Sequence, residues 1–246
     1  MAYDFKKEYK DLYLPKQKPM FIDVPAMTFV AVAGAGNPNK EGGAYQQAMG
    51  LLYGFSYAVK MSKMGSWQPD GYFDYVVPPL EGLWWAGAGA FDGASIVDKN
   101  ALSWVSLIRQ PDFVTREVFD RICEQLSVKK PELSADLELG KLRFLRFSEG
   151  KCAQIMHKGS YDDEPETIAK LSEFIASEGM QTDIAEGGES PVGHNAFCEF
   201  DTETILGALD VDGDCPTIRL HHEIYLGDPR RTKPENLKTV IRHPIK

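Results

Sequence analysis

Apolar positions along the chain alternate between two spacings, one typical of strands and one typical of helices. The stretch "MTFVAVAGAG" (27–36) is continuous and β-branched, which predicts a strand followed by a glycine loop. From Tyr45 to Val59 the apolar residues recur at helical spacing. "YFDYVVPPLEGLWWAG" (72–87) and "LSWVSLIRQP" (102–111) then predict further extended segments, interrupted or ended by proline. The first half therefore has the order strand, helix, strand, strand.

The same order recurs in the second half. "KCAQIMHKGSYDD" predicts a strand, and "DEPETIAKLSEFIASEG" predicts a helix that ends at Gly179. The strands "TIRLHHEIYL" and "TVIRHPI" follow, separated by a short predicted helix, "KPENLK". A local similarity between residues 107–119 and 225–237 supports a duplication. We therefore predict an α+β pseudo-repeat within one domain (1–246), with halves at about 21–140 and 141–246.

Two further segments are predicted outside the repeat. "TREVFDRICEQL" has Val118 and Ile122 on one helical face, and Thr115 is its candidate N-cap. The Lys-rich first twenty residues predict a short surface helix or arm that ends at Pro15. "DVDGD" (210–214) resembles the start of a calcium loop but lacks the spacing to a bidentate glutamate, so we interpret it as an acidic turn.

The strand "LHHEIYL" places an acid among groups that can form hydrogen bonds. Because side chains alternate along a strand, His221, Glu223 and Tyr225 share one face. A buried carboxylate is costly unless it is paired or hydrogen-bonded. Glu223 therefore either has a partner within the protein, such as Arg219 or Arg230, or accepts one from outside.

A second strand carries a glutamate beside tryptophans. In "PPLEGLWW" the alternation places Glu81 and Trp85 on one face and Trp84 on the other. One glutamate among aromatic residues in each half indicates a ligand site. The alternatives are a solvated or ion-paired Glu81 and a tryptophan pair that belongs to the core, because tryptophan buries a large area.

Charge and composition argue against several classes of function. The net charge of −9 and the pI near 5.1 argue against a nucleic-acid surface, which needs clustered Lys and Arg. No apolar run approaches the roughly 20 residues that span a bilayer, and the N-terminus is too polar for a signal peptide. We therefore expect a cytoplasmic protein without a membrane partner. The four cysteines are widely spaced, and no metal site is predicted.

The segments "HKGSYDDEPETIAKLSEFI" and "LHHEIYLGDPRRTKPENLKTVIRHPI" resemble the GyrI-like small-molecule-binding family. The resemblance lies in Gly159, Tyr161 and Asp162 before a helix, and in a late strand with Glu223 followed by Tyr225. "PPLEGLWW" is similar to a segment of the stand-alone branch of that family. The resemblance implies two antiparallel sheet halves backed by helices, with a central ligand cavity that contains Glu223 among aromatic residues.

Two functions are implied by this resemblance. In the sensor branch the corresponding acid receives lipophilic cations, whereas some stand-alone members are cyclopropanoid hydrolases that open the cyclopropane of DNA-alkylating compounds. No obvious helix-turn-helix module precedes the segments that carry the resemblance, so we expect a member of the stand-alone branch. We expect a cyclopropanoid cyclopropyl hydrolase that acts in detoxification and needs no metal or organic cofactor. The alternative is non-catalytic binding, sequestration or sensing of flat aromatic or lipophilic cationic drugs.

In the enzyme hypothesis the pKa of Glu223 is raised by desolvation, and Glu223 deprotonates the attacking water. Tyr225, Tyr161 or His221 donates to the developing oxyanion.

The remaining candidates form the ligand surface. Trp84 and Trp85 sandwich a flat substrate, and Glu81 is a second acid or an orienting group. In the binding hypothesis the same aromatic walls attract planar cations. A structural or interaction protein is a third possibility, in which Glu223 is satisfied internally and the tryptophans lie in the core.

Overall fold

The structure of the chain is a computed structural model that describes residues 2–86, 98–185, 192–193, 202–209 and 215–246. Within these ranges the strands are β1 (Met20–Val24), β2 (Met27–Ala35), β3 (Leu80–Ala86), β4 (Leu102–Arg109), β5 (Arg143–Phe147), β6 (Gly150–Lys158), β7 (His221–Tyr225) and β8 (Lys238–Pro244). The helices are α1 (Phe5–Glu8), α2 (Lys10–Tyr13), α3 (Ala44–Met61), α4 (Arg116–Lys129), α5 (Pro131–Glu138), α6 (Glu164–Ser177) and α7 (Thr202–Leu209).

The strands form an eight-stranded sheet in the order β1-β6-β8-β7-β3-β4-β2-β5, and every neighbouring pair is antiparallel. This order is symmetric about the junction between β3 and β7. The unit β2–α3–β3–β4 lies on one side, and β6–α6–β7–β8 takes the equivalent positions on the other. The predicted α+β fold and its strand–helix–strand–strand repeat are confirmed.

The local similarity between residues 107–119 and 225–237 does not mark equivalent positions. The first stretch leaves β4 and enters α4, whereas the second leaves β7 and leads into β8. In the symmetric sheet β4 corresponds to β8, and β3 corresponds to β7. The local similarity is therefore not evidence of duplication, whereas the order of the strands in the sheet is itself duplicated. The helix predicted at "KPENLK" is a single 3-10 turn, Pro234–Asn236.

The two repeat helices pack on the sheet and begin near its central junction. α3 packs on β2 and β4, and α6 packs on β6 through Leu171 and Ile175. Burying each large apolar side chain contributes about 1.5–3 kcal/mol, so the apolar stripe fixes the position of the helix. The buried apolar residues of α3 are Ala48, Leu51, Leu52, Phe55 and Val59.

The N-terminal segment lies against the sheet and is not a surface arm. Leu12 and Tyr13 of α2 are buried. The Arg242 guanidinium donates to the Leu12 carbonyl over 2.8 Å, and the Gln154 side chain donates to the Asp11 carbonyl over 2.6 Å. The prediction of a surface helix is wrong because the apolar residues between the lysines form a buried face.

Outside the repeat, the predicted helix α4 is confirmed. Thr115 caps it by accepting a hydrogen bond from the Val118 amide over 3.3 Å. α7 was not predicted. Residues 210–214, interpreted as an acidic turn, lie outside the described residues. In the described ranges, no helix is long and apolar enough to cross a membrane.

Candidate functional site

The carboxylate of Glu223 is at the centre of the candidate site. Because side chains alternate, His221, Glu223 and Tyr225 lie on one face of β7. His221 Nε2 is 2.9 Å from Glu223 Oε1, and Tyr225 Oη donates to Glu223 Oε2 over 2.5 Å. The side chains of His221 and Glu223 are 17% and 14% exposed. Both carboxylate oxygens of Glu223 are therefore hydrogen-bonded within the protein, while the side chain remains partly accessible.

β3 supplies the surface beside this carboxylate. Gly82 is the cross-strand partner of Glu223, and Trp84 is the partner of His221. The Trp84 indole Nε1 donates to Tyr225 Oη over 2.7 Å. A Cβ at position 82 would lie 2.5 Å from Trp84 Nε1 and 3.2 Å from Tyr225 Oη. Glycine at this position lets the indole lie across the strand and reach the phenol.

Aromatic rings from both halves surround this group. Tyr45, near the start of α3, stacks with Trp84 at a centroid distance of 5.8 Å and contacts Trp104 edge-on at 5.0 Å. Tyr161, in the turn before α6, contacts Tyr225 edge-on at 5.7 Å. Trp104 is buried, and the other four rings are half-buried. The half-buried rings therefore offer apolar surface next to Glu223.

A second carboxyl group lies against Glu223. Glu164 is the first residue of α6 and is buried. Its Oε1 has no hydrogen-bond partner among the described residues. The carboxyl groups of Glu164 and Glu223 interact directly, and each changes the pKa of the other.

The two carboxyl groups have opposite pKa shifts. Burial raises the pKa of Glu164 well above its ordinary value, and the negative charge of Glu223 raises it further. Burial also acts to raise the pKa of Glu223, but interactions with His221 and Tyr225 outweigh burial and hold this pKa below its usual value. The expected raised pKa of Glu223 is therefore wrong. The two shifts favour the proton on Glu164 and the negative charge on Glu223.

The turn before α6 fixes the position of Tyr161 and Glu164. His157 Nε2 donates to the Ser160 carbonyl over 2.9 Å, and His157 Nδ1 lies 2.8 Å from Thr167 Oγ1. His157 is buried. Because both ring nitrogens have partners, His157 ties the end of β6 to the first turns of α6.

Glu223 is bonded by groups on its own strand, and the two arginines considered as partners form other ion pairs. Arg219 Nη2 lies 2.8 Å from Asp183 Oδ1, and both side chains are buried. Arg230 Nε lies 3.0 Å from Asp228 Oδ1 on the surface.

Glu81 lies on the opposite face of the sheet from Glu223. Its cross-strand partner on β7 is Ile224, and its side chain is fully buried. Glu81 Oε2 is 3.1 Å from His222 Nε2, and Oε1 accepts a hydrogen bond from Tyr13 Oη over 3.4 Å. The structure therefore does not bring Glu81 into the group around Glu223.

Glu81 belongs to a buried ion network, which consists of Glu81, Glu149, His222 and Arg242. His222 Nδ1 is 2.9 Å from Glu149 Oε2, and Arg242 Nη1 donates to Glu149 Oε1 over 2.7 Å. Burial acts to lower the pKa of His222, but Glu149 and Glu81 outweigh burial and raise it to about 9. Burial acts to raise the pKa of Glu149, but His222 and Arg242 lower it to about 2. In this network the carboxylate of Glu149 and the cations of His222 and Arg242 therefore stabilise one another's charged forms.

Trp84 and Trp85 point to opposite faces of β3. Trp84 pairs across the strands with Trp104 and His221, whereas Trp85 pairs with Ser103. Trp85 is half-buried and packs against the main hydrophobic core. The structure therefore places Trp84, and not Trp85, beside Glu223, and the two indoles do not enclose one ligand position.

The group around Glu223 combines a proton donor, a carboxylate, phenol donors and aromatic rings. Such a set suits proton transfer and the binding of planar ligands. Tyr45, Trp104 and Glu164 belong to this group but were not predicted from the sequence. Among the described residues, no group of three or more His, Cys, Asp or Glu side chains is placed to hold a metal ion.

Comparisons with known proteins agree with this fold. The family described as GyrI-like small molecule binding domain matches residues 115–189. The structure of an uncharacterized conserved protein from Listeria innocua is 41% identical over 100% of both chains, with a TM-score of 0.79. Two structures of hydrolases from Listeria innocua are 39% identical over 100% of both chains, with TM-scores of 0.76 and 0.75. No curated protein sequence gives a significant match. The family match and the similarity of these three structures over the whole of both chains together show that the protein belongs to the GyrI-like small-molecule-binding family.

Proposed function

We propose that the protein hydrolyses cyclopropanoid DNA-alkylating compounds by acid–base catalysis at Glu164 and Glu223. The observation that carries this proposal is the pair of neighbouring carboxyl groups with opposite pKa shifts. Environments that separate the pKa values of two carboxyl groups provide an acid and a base at the same pH. Two related structures from Listeria innocua are described as hydrolases, which supports a hydrolytic function.

The reaction adds one water molecule to a strained carbon–carbon bond. Glu223 takes a proton from water while the water oxygen bonds to the cyclopropane methylene carbon. The ring bond breaks, and its electron pair moves into the conjugated dienone. The carbonyl oxygen takes the proton of Glu164 and becomes a phenol. The proton then passes from Glu223 to Glu164 through their direct interaction, so the chain returns to its starting state.

The surrounding residues have supporting roles in this proposal. Tyr225 and His221 hold the Glu223 carboxylate, and Tyr45 and Trp84 contact the planar part of the substrate. Burial, with smaller effects of Glu164 and Glu223, raises the pKa of Tyr161 to about 12, so its phenol is a donor at neutral pH. Glu81 and Trp85 lie on the other face of the sheet and have no role in this mechanism.

Turnover of a cyclopropanoid alkylator tests the proposal. Purified protein in catalytic amount should convert the compound to its ring-opened hydrate, which mass spectrometry detects. Glu223→Gln and Glu164→Gln should each lower kcat/KM by about 10²–10⁴-fold, the usual contribution of a positioned acid or base. Glu124→Gln, an exposed change on α4, is the matched control. A Glu164→Gln variant with wild-type turnover would contradict the assignment of the acid.

Non-catalytic binding of planar cations is the second candidate, and one observation favours it. Both oxygens of Glu223 already accept hydrogen bonds. Burial acts to raise the pKa of Glu223, but His221 outweighs burial and lowers it. Such a carboxylate is a weak base but a stable counter-charge. Ethidium fluorescence tests this function. Saturable ethidium binding that Glu223→Gln removes, together with no turnover of the alkylator by wild type, would favour binding over hydrolysis.

The proposal includes a cytoplasmic location without a nucleic-acid partner. Cys123, Cys152 and Cys215 are free thiols, which suits a reducing compartment. The net charge of −9 opposes binding to nucleic acid. Cell fractionation followed by immunoblotting checks the location, and recovery with the membrane or secreted fraction would contradict it.

A further inference from the structure

A second histidine lies behind His221, away from solvent. His243 is on β8 and is 4% exposed. Its Nε2 is 2.8 Å from His221 Nδ1. The cross-strand partner of His243 on β6 is Ala153, and Ile241 lies two residues away on the same face. His243 Nδ1 has no hydrogen-bond partner among the described residues. A polar ring in apolar surroundings, bonded through one nitrogen to a site residue, calls for an explanation.

The partners determine where the ring protons lie. Glu223 is ionised and can only accept, so His221 Nε2 carries a hydrogen. The Nδ1 atom of a neutral His221 is then an acceptor, and its partner must donate. His243 therefore carries its hydrogen on Nε2. Burial holds the pKa of His243 well below its usual value, which keeps this ring neutral.

The opposite arrangement is less favourable. If His221 donated from Nδ1, the hydrogen of a neutral His243 would move to Nδ1. That atom is buried and has no partner among the described residues, and an unpaired buried N–H costs free energy. Donation therefore runs from His243 to His221 to Glu223 Oε1. A second chain of donors runs from Trp84 to Tyr225 to Glu223 Oε2.

We propose that His243 is a positioning residue for Glu223: it donates to His221 Nδ1 and thereby keeps the His221 Nε2–H directed at the carboxylate. This inference rests on the proposed function, because it concerns the same carboxylate. His243 is not a catalytic residue, since it acts through His221. The other titratable groups that influence Glu223, or are influenced by it, are Tyr225 on β7, Tyr161 and Glu164 at the start of α6, and Tyr45 on α3.

Removal of the His243 donor should change the titration of Glu223. His221 would no longer be held in one orientation, and Glu223 would lose part of the hydrogen bonding that stabilises its charged form. The pKa of Glu223 should therefore rise. His243→Leu removes the donor at similar volume, whereas the amide of His243→Gln retains a donor near the position of Nε2.

The experiment follows the Glu223 carboxyl carbon by NMR in protein labelled with 13C-glutamate. The signal that Glu223→Gln removes assigns the residue. The pH midpoint should rise by on the order of one unit in His243→Leu and stay near the wild-type value in His243→Gln. An unchanged midpoint in His243→Leu would overturn the proposal. An equal shift in both variants would also overturn it, because the effect would then be one of packing.

A measurement on the wild-type protein covers the case in which His243→Leu does not fold. Long-range 1H–15N correlation of 15N-histidine protein reports the tautomer of each ring. The proposal requires the His243 hydrogen on Nε2, and a hydrogen on Nδ1 would overturn it. Neither NMR experiment uses a substrate. A wild type that turns over no cyclopropanoid would therefore reject the proposed function without deciding the role of His243.

Discussion

The two faces of β7 hold charged groups in different ways. His222 and Glu223 are consecutive residues, and their side chains point to opposite faces of the sheet. On one face His222 lies between Glu81 and Glu149, and Arg242 completes an enclosed network. On the other face Glu223 is partly exposed and has a second carboxyl group beside it.

The difference shows that burial alone does not identify a functional acid. Glu81 is more buried than Glu223, but it forms an ion pair with the enclosed His222 and is shielded from solvent. Glu164 has the opposite arrangement, because the charge that acts on it most strongly is the negative charge of Glu223. Burial and this like charge favour the protonated form of Glu164, which is the form that can donate a proton.

Breaking the enclosed network should have the largest effect on stability. Arg242→Met leaves the buried Glu149 with only His222 of its two cationic partners, and breaking a buried ion pair costs about 3–5 kcal/mol in comparable cases. Urea denaturation measures this loss. Arg230→Met, which removes an exposed ion pair with Asp228, is the matched control and should cause no measurable change. An Arg242→Met variant as stable as wild type would contradict the view that this network neutralises its own charges.

The charged groups of the enclosed network should make the free energy of unfolding depend on pH. The pKa of His222 is raised to about 9 in the folded protein, against a usual value of 6.5. Its contribution, on the order of 3 kcal/mol, is complete below pH 6.5 and is lost as the pH rises to about 9. The pKa of Glu149 is lowered to about 2 from 4.5, so its contribution is lost as the pH falls between those values.

Thermal unfolding from pH 3 to pH 9 measures this dependence. Glu164 adds to the loss at high pH, because its pKa is raised and the folded state binds its proton more tightly. Glu149 loses its contribution below pH 4.5, Glu164 loses its contribution above pH 4.5, and His222 follows above pH 6.5. The free energy of unfolding should therefore be highest near pH 4.5. Glu164→Gln should reduce the alkaline loss and leave the part due to His222. A stability that stays constant from pH 6.5 to 9 would contradict the charged state of His222.

Gly82→Ala should have a smaller effect, confined to the face of the sheet that carries Glu223. The added Cβ would lie 2.5 Å from Trp84 Nε1, so the indole must move and its hydrogen bond to Tyr225 is lost. We expect a destabilisation of about 1–3 kcal/mol, a changed tryptophan fluorescence and weaker ethidium binding. Gly50→Ala is the control, because this exposed helical position has no atom within 3.7 Å and should gain about 0.5–1 kcal/mol. Equal effects of both substitutions would contradict the packing role of Gly82.

The repeat could be predicted because each strand and helix carries its own periodicity. The alternation in "PPLEGLWW" placed Glu81 and Trp85 together, which the structure bears out. It did not reveal which face of β3 meets Glu223, because a central strand is covered on both sides and both faces read as apolar. The strand register decides this, and register is a property of the pairing between halves.

The residues that were missed have ordinary local explanations in the sequence. A glutamate in the first turn of a helix, such as Glu164, is common because it interacts favourably with the helix dipole. Tyr45 fits the apolar stripe of α3, and His243 has no pattern that separates it from a surface histidine. The N-terminal segment was mistaken for a surface arm because its lysines outnumber its buried residues. Each of these assignments depends on contacts between distant parts of the chain.

The junction between β3 and β7 has a consequence for the duplicated halves. One side of this seam joins Glu81 to His222, and the other sets Gly82 beside Glu223 and Trp84 beside Tyr225. A slip of one residue at the seam would reverse one half relative to the other, so that Glu81 and Glu223 would lie on the same face of the sheet. The enclosed network and the group around Glu223 each take residues from both halves. The register of this one seam therefore sets both the internal charge balance and the surroundings of Glu223.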